Sequence, residues 1–574
     1  MPSQHTTRPT PFQRFLELLS SEHKVIGYIY LYAVFSGLVS LSLPLGIQSL
    51  IGFVSSGQMV TSVTVLILLI IVGVLVVGGL QVMQLYLVEH IQQRLFATKA
   101  FQFTTQLTHL KSNQMAEHNL PELMNRFFDV ISLQKGLAKM LTDFSAAAIQ
   151  ILFGVILLSF YHPYFILFGL VLVVLLILII RITSPKGMRT SLEESKYKYR
   201  LVHWLEELAQ NLVIFKSASH ERLSLEKTDY YTSGYLKARG AHFKVLITQY
   251  IGFIGFKTVI TAGLLLMGSF LLLNQEINLG QFVASEIIII LIITAVEKLL
   301  VKLDVVYDVL TSLEKLGGVT DLPLEETKGL TREMPSTYQG VSVQVKSLSF
   351  KYAGAQTPVL QGMDLTITTG EKLCLTGPEE GGKSTLLQIL AGLHTEYGGT
   401  VVFNDLSLKD YLPEALHEQI GFYLLPALLF EGTILENITL GQPDVTLEEV
   451  LWALQTVELS DYVQSKPEGL YTLIHSNSPG MPNGVSQRLA LARSIARKPK
   501  LLLLDNFLPL VNKALRARIA ERLLHPDMPW TVVVISNEKN VMRLCTRVVL
   551  VQQGRVSQVV TGEEAVTAEF NKLV

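Results

Sequence analysis

Six stretches of the chain stay apolar for long enough to cross a bilayer, which takes about 20 residues of helix. They run from Val25 to Val54, Thr61 to Val88, Phe144 to Phe160, Phe165 to Ile182, Val245 to Leu273 and Gln281 to Leu303, and Pro44 predicts a kink in the first. The connections alternate. Ser55 to Val60, Tyr161 to Tyr164 and Asn274 to Gly280 are short and hold no Lys or Arg, whereas residues 90–143 and 183–244 are long and basic. The positive-inside rule therefore puts both termini in the cytoplasm. Within the long connections, Glu89 to Leu110 and Leu192 to Phe215 keep a helical period, as in Val202, Leu205, Leu208, Leu212 and Phe215, so the membrane helices are predicted to continue into the cytoplasm. Ser112 to Glu122 and Ser217 to Thr228 are candidate cross-pieces at their tips, placed to couple to whatever domain follows.

From Asp304 to Gly340 the chain turns polar, with Gly317, Gly318, Pro323 and Pro335 marking the end of the last helix and a linker. Then Val341, Val343 and Val345 alternate with polar residues, Leu348 and Phe350 continue in a shifted register, and strands interleave with helices to the end. The predicted organisation is a cytoplasmic segment over 1–24, a six-helix, all-α transmembrane domain over 25–318, a linker over 319–340 and an α/β domain over 341–574.

Composition agrees with the pattern. A mean hydropathy of +0.39 with 17% charged residues is that of a membrane protein. A net charge of -1 gives no basic face for nucleic acid. The first apolar run has no small-residue cleavage site and reads as a signal anchor or first span. Two cysteines, Cys374 and Cys545, are too few for a disulfide framework and read as buried thiols. Lys257 and Glu286 fall inside spans, where charge marks either a translocation path or an interfacial residue satisfied by a neighbour. Helical rise separates their depths by about 16 Å, so they are not expected to pair.

The strongest chemical signal is Gly377 to Thr385, GPEEGGKST. It follows the apolar run Leu373 to Thr376 and opens a helical stretch, which is the setting of a phosphate loop. Gly377, Gly381 and Gly382 allow backbone N–H groups to reach phosphates, Lys383 supplies a charge, Ser384 can ligate Mg2+, and Thr385 completes the motif. ATP with Mg2+ is the cofactor this implies for an α/β P-loop NTPase domain.

Six spans with long cytoplasmic helices followed by this domain resemble a half-transporter of the ABC exporter family. The resemblance also rests on Tyr352 ahead of the loop, LFEGTILENI at Leu429 to Ile438, QRLALARS at Gln487 to Ser494, and LLLLD at Leu501 to Asp505. SLPLGIQSL at Ser42 to Leu50, NLGQFVA at Asn278 to Ala284 and VEK at Val296 to Lys298 look like the type I secretion exporters of Gram-negative inner membranes, which work with a periplasmic membrane-fusion protein and an outer-membrane channel. No room precedes Val25 for the leader-peptidase domain of some relatives, so substrate processing is not expected. The resemblance implies that Tyr352 stacks on adenine and that Asp505 joins Ser384 around Mg2+.

The same resemblance exposes substitutions. Asn506 stands where relatives carry the glutamate that positions or deprotonates the attacking water, and an amide cannot accept that proton. Asn537 replaces the histidine at the γ-phosphate, and Leu425 the glutamine that ligates Mg2+. The signature segment reads Met481, Pro482, Asn483, Gly484, Val485, with Pro482 lacking both hydroxyl and N–H where a serine would meet the opposite ATP. Asn512 ends a loop that in relatives ends in Asp, and Glu379 and Glu380 add two carboxylates to the phosphate loop. At about 6 Å and a dielectric of about 20, each unit charge pair costs on the order of 3 kcal/mol, unless the side chains turn to solvent. The expectation is an exporter half, homodimeric or paired with a catalytically complete half, whose own hydrolysis is weak or absent. A non-hydrolysing, nucleotide-responsive membrane scaffold is the alternative.

Overall fold

A helix that is apolar all round needs apolar surroundings, from a core or from lipid. In the computed structural model, which describes residues 9–55, 61–111, 114, 118–217, 221–325, 340–475 and 481–566, six helical segments are long and apolar enough to cross a membrane. Leu68, Leu75 and Leu167 lie outward on them with more than half of their surface open, which water would penalise and lipid tails would not. The chain folds as two compact units, residues 1–109 with 118–322, and 110–117 with 323–574.

The first unit is all helix. A short amphipathic α1 (Pro11–Ser21) is capped by Thr10 and Gln13 in a reciprocal box. The first span consists of α2 (His23–Ser40) and α3 (Ser42–Ser55), with Pro44 in the first turn of α3. The predicted kink is thus a break at Leu41, because a proline lacks the N–H that would continue the ladder. The second span is α4 (Thr61–Thr108), and the third runs through α5 (Leu120–Asn125), α6 (Asp129–Lys139), a π turn at Met140–Phe144 and α7 (Ser145–Ser159). Two further long helices, α8 (Tyr164–Gln210) and α10 (Arg222–Leu273), flank the short α9 (Leu212–Ser217), and α11 (Leu279–Val301) leads into α12 (Leu303–Thr320). The long helices continue well past their apolar stretches, as the periodicity predicts. Where they do, polar side chains join them: Gln249 donates to Thr183 and to the Tyr307 hydroxyl, and the Tyr199 hydroxyl donates to Asp129. Neither Lys257 nor Glu286 makes an ion pair among the described residues. Residues 112, 113 and 115–117 of the first candidate cross-piece, 218–220 of the second, and 326–339 of the expected linker lie outside the described residues.

The second unit carries the strands β1 (Val343–Phe350), β2 (Leu360–Ile367), β3 (Lys372–Thr376), β4 (Gly398–Phe403), β5 (Leu406–Ser407), β6 (Ile420–Tyr423), β7 (Gly432–Thr433), β8 (Leu473–Ile474), β9 (Leu501–Leu504), β10 (Thr531–Ile535), β11 (Arg547–Gln552) and β12 (Arg555–Thr561). One sheet, antiparallel, runs β2-β1-β4-β5, and the shifted register read in β1 is a bulge between Val345 and Leu348 with Ser347 at φ 49°. The central sheet runs β12-β11-β3-β10-β9-β6, parallel except for the β11–β12 hairpin. Leu501, Leu503, Val533, Ile535 and Leu375 face one core, and Leu502, Leu504, Val532, Val534 and Cys374 face the other. A sheet buried on both faces demands unbroken apolar runs, which is why LLLLD carries no alternation. Both cysteines are free and buried.

Candidate nucleotide site

Parallel strands end together, so the residues just past them meet in one crevice. The register aligns Leu375 of β3 with Ile535 of β10, and Leu504 of β9 with both Val534 and Tyr423 of β6. The next residues out are therefore the glycine loop from Gly377, Asp505 with Asn506, Asn537, and Leu425. Residues spread over 160 positions of sequence arrive at one edge because four neighbouring strands stop at the same level.

The loop is moulded by backbone. Gly377 has φ 129° and a Cβ there would stand 2.4 Å from the Val551 carbonyl oxygen; one on Gly381 would stand 2.8 Å from the same atom. Gly382, at φ 95°, is the N-cap of α13 (Lys383–Leu390). Lys383 Nζ donates to the Gly377 and Pro378 carbonyls at 2.8 and 2.5 Å, and Ser384 Oγ donates to Asp505 Oδ1 at 3.0 Å. Burial pushes the Lys383 amine down, against the pull of Asp505 and Glu379. Burial also pushes the Asp505 carboxyl up, against the Ser384 hydroxyl and the Lys383 charge. A lysine, a serine hydroxyl and a half-buried carboxylate at a helix N-terminus form a donor set that fits a phosphate chain and its Mg2+. Glu379 and Glu380 are exposed, Glu380 at φ 63°. With both side chains in solvent, the repulsion falls toward the aqueous value of about 0.7 kcal/mol per pair at 6 Å.

Three of the substituted positions, Asn537, Leu425 and Asn512, are built into the frame. Asn537 Oδ1 accepts from the buried Thr376 hydroxyl at 2.8 Å, directly behind the loop. Asn506 is exposed at φ 47°, a left-handed conformation that asparagine tolerates better than most residues. Leu425 packs on the core, and Asn512 caps α15 (Lys513–Leu523) by accepting from the Leu515 N–H at 2.8 Å. Met481 and Pro482 lead into α14 (Asn483–Ala496), with Pro482 at its N-cap making no side-chain bond. Gly484 of this segment sits close under the Leu510 carbonyl. LFEGTILENI and QRLALARS are bolted together, since Arg493 donates to the Asn437 carbonyl and Oδ1, and Asn437 to Phe430 and Thr433.

Sequence reasoning missed the surroundings of Tyr352. Its hydroxyl lies 3.1 Å from both Thr385 Oγ1 and Gln388 Oε1, and His394 reaches the same Gln388 oxygen. The only available signal was the three-residue spacing of Thr385 and Gln388 on one helix face, which says nothing about a tyrosine 33 residues away.

Residues 26–296 match the family described as ABC transporter transmembrane region, and residues 360–508 match the family described as ABC transporter. The chain is an ABC exporter half-transporter. This half-transporter is 27% identical over 303 residues to the "Alpha-hemolysin translocation ATP-binding protein HlyB" of Escherichia coli O157:H7, an alignment covering 52% of the chain and 42% of that protein. It is 22% identical over 559 residues to the "Lactococcin-A transport/processing ATP-binding protein LcnC" of Lactococcus lactis subsp. lactis, covering 97% of the chain and 77% of that protein. Against HlyB the chain therefore spans less than half the relative's length. Among solved structures, a bacterial Atm1-family ABC exporter with ATP bound shares the fold, with a TM-score of 0.82 at 16% identity over 95% of this chain and 96% of that one. The exporter half is thus a multi-pass membrane protein whose second unit belongs to an ATP-binding class.

Proposed function

We propose that this half-transporter takes part in ATP-dependent export of the type I secretion kind from a bacterial inner membrane, with both termini in the cytoplasm, and that its own nucleotide site binds Mg-ATP but hydrolyses it weakly or not at all. The observation that carries the reading is the combination at the ends of β9 and β10. The frame around Gly377, Lys383, Ser384 and Asp505 is intact, while Asn506 and Asn537, just beyond the ends of β9 and β10, offer amides that cannot take a proton from water. The site then contributes binding energy, and the chemical step falls to the partner where that partner is a catalytically complete half-transporter; a second copy as partner would leave two such weak sites. A periplasmic membrane-fusion protein with an outer-membrane channel would complete the route.

Pro482 supports a second reading. A signature that lacks a hydroxyl and an N–H would also impair the site on the partner, which suits a nucleotide-responsive scaffold.

The test is Mg-ATP binding and turnover by the purified chain in nanodiscs, with Lys383→Ala as control. Binding without turnover, abolished by Lys383→Ala, is the expected result. Turnover that depends on Lys383 in the chain alone would overturn the assignment of Asn506 and Asn537, and absence of binding would leave the scaffold.

A further inference from the structure

Tyr352 is fixed at both ends of its side chain. Its ring meets Phe350 at 4.9 Å and 86°, and His394 at 5.5 Å and 85°, edge-to-face contacts that oppose rotation. Its hydroxyl has one proton to give. Gln388 Oε1, 3.1 Å away, can only accept, so the tyrosine donates there and Thr385 Oγ1 becomes the donor to the tyrosine oxygen. His394 Nε2 lies 3.1 Å from the same Oε1, and burial lowers the imidazole pKa, which keeps the ring neutral with one N–H for that bond. The network therefore runs from Thr385 through Tyr352 to Gln388, where His394 converges, and both Thr385 and Gln388 belong to the helix that begins at the phosphate loop.

From this arrangement we infer that Gln388, supported by His394, is a positioning residue that holds Tyr352 ready for the base of a nucleotide, and so ties recognition of the base to the helix that recognises the phosphates. The inference rests on the nucleotide-binding reading above. The Thr385 side-chain proton is then committed to Tyr352, so what Thr385 offers a phosphate is its backbone N–H at the helix N-terminus.

Two ligands separate base from phosphate. Mg-bound methylanthraniloyl-ATP carries both, and Mg-tripolyphosphate carries phosphate alone. With the full chain in nanodiscs, Gln388→Leu is expected to weaken the fluorescent nucleotide about ten-fold, the order of one lost base-stacking contact, while changing tripolyphosphate less than about two-fold. Gln388→Glu keeps an acceptor for the tyrosine and is expected to restore most of the loss. In a Tyr352→Phe background, which has no hydroxyl to hold, Gln388→Leu is expected to add nothing. Equal weakening of both ligands would mean that the glutamine only supports the helix, and unchanged affinity for both would mean that it does nothing; either overturns the inference while nucleotide binding stands. If the unmodified chain binds neither ligand, the nucleotide reading falls and takes this one with it. If it binds both with no advantage from the base, the inference alone falls.

Discussion

At Asn506 backbone and chemistry make separate demands. The residue sits at φ 47°, where asparagine is comfortable and a glutamate would pay about 1 kcal/mol, yet only the glutamate could activate water. Asn537 similarly spends its oxygen on the buried Thr376 hydroxyl. Reinstating the relatives' residues at three positions, Leu425→Gln, Asn506→Glu and Asn537→His, is expected to raise ATP turnover by about 100-fold, the lower side of what general acid–base groups supply. Steady-state phosphate release measures it, and no rise at all would mean that these positions do not limit hydrolysis. The loop was legible because motif spacing is local. The Thr376–Asn537 bond and the Tyr352 network were not, because they join residues that only the sheet and the phosphate-loop helix bring together.

Elements were legible where a boundary condition forced their composition. Lipid fixes the length of an apolar run, so the six spans showed; burial on both faces fixes an all-apolar strand, so β9 showed. What did not show was irregularity inside an element. The π turn at Met140–Phe144 interrupts the third span with no proline or glycine to announce it, and the break at Leu41 precedes its proline by three residues. The junction between LFEGTILENI and α14 was visible as two separate anchors, but not as one unit. Asn437, fully buried and bonded to Phe430, Thr433 and Arg493, is what joins them. Asn437→Ala leaves those groups without partners and is expected to destabilise the nucleotide unit by about 2–3 kcal/mol, read as a lower midpoint in chemical denaturation. A change below about 0.5 kcal/mol would show that water replaces the amide.

For the whole molecule the sequence supplied the six spans, the α/β unit and their order, since hydropathy and strand alternation are properties of long windows. Orientation in the membrane is open to direct measurement, because both native cysteines are buried and do not compete for a thiol probe. Gln275 lies exposed between α10 and α11, and Glu448 is exposed in the nucleotide unit. In spheroplasts, a membrane-impermeant maleimide is expected to label Gln275→Cys and to spare Glu448→Cys until the cells are lysed. The reverse pattern would contradict cytoplasmic termini.

The carbonyl oxygens that shape the glycine loop belong to β11 and to the residue preceding β2, and the turn at Gly554 is wedged among them: its N–H donates to the Gly381 carbonyl at 3.1 Å, and a Cβ there would lie 2.2 Å from the Val359 oxygen. That amide can exchange with heavy water only when the loop and the hairpin part. Gly554 therefore keeps time for the loop. Whatever fills the loop should lengthen the protection of a hydrogen that never touches it, so mass spectrometry of one hairpin peptide becomes a gauge of occupancy that needs no turnover.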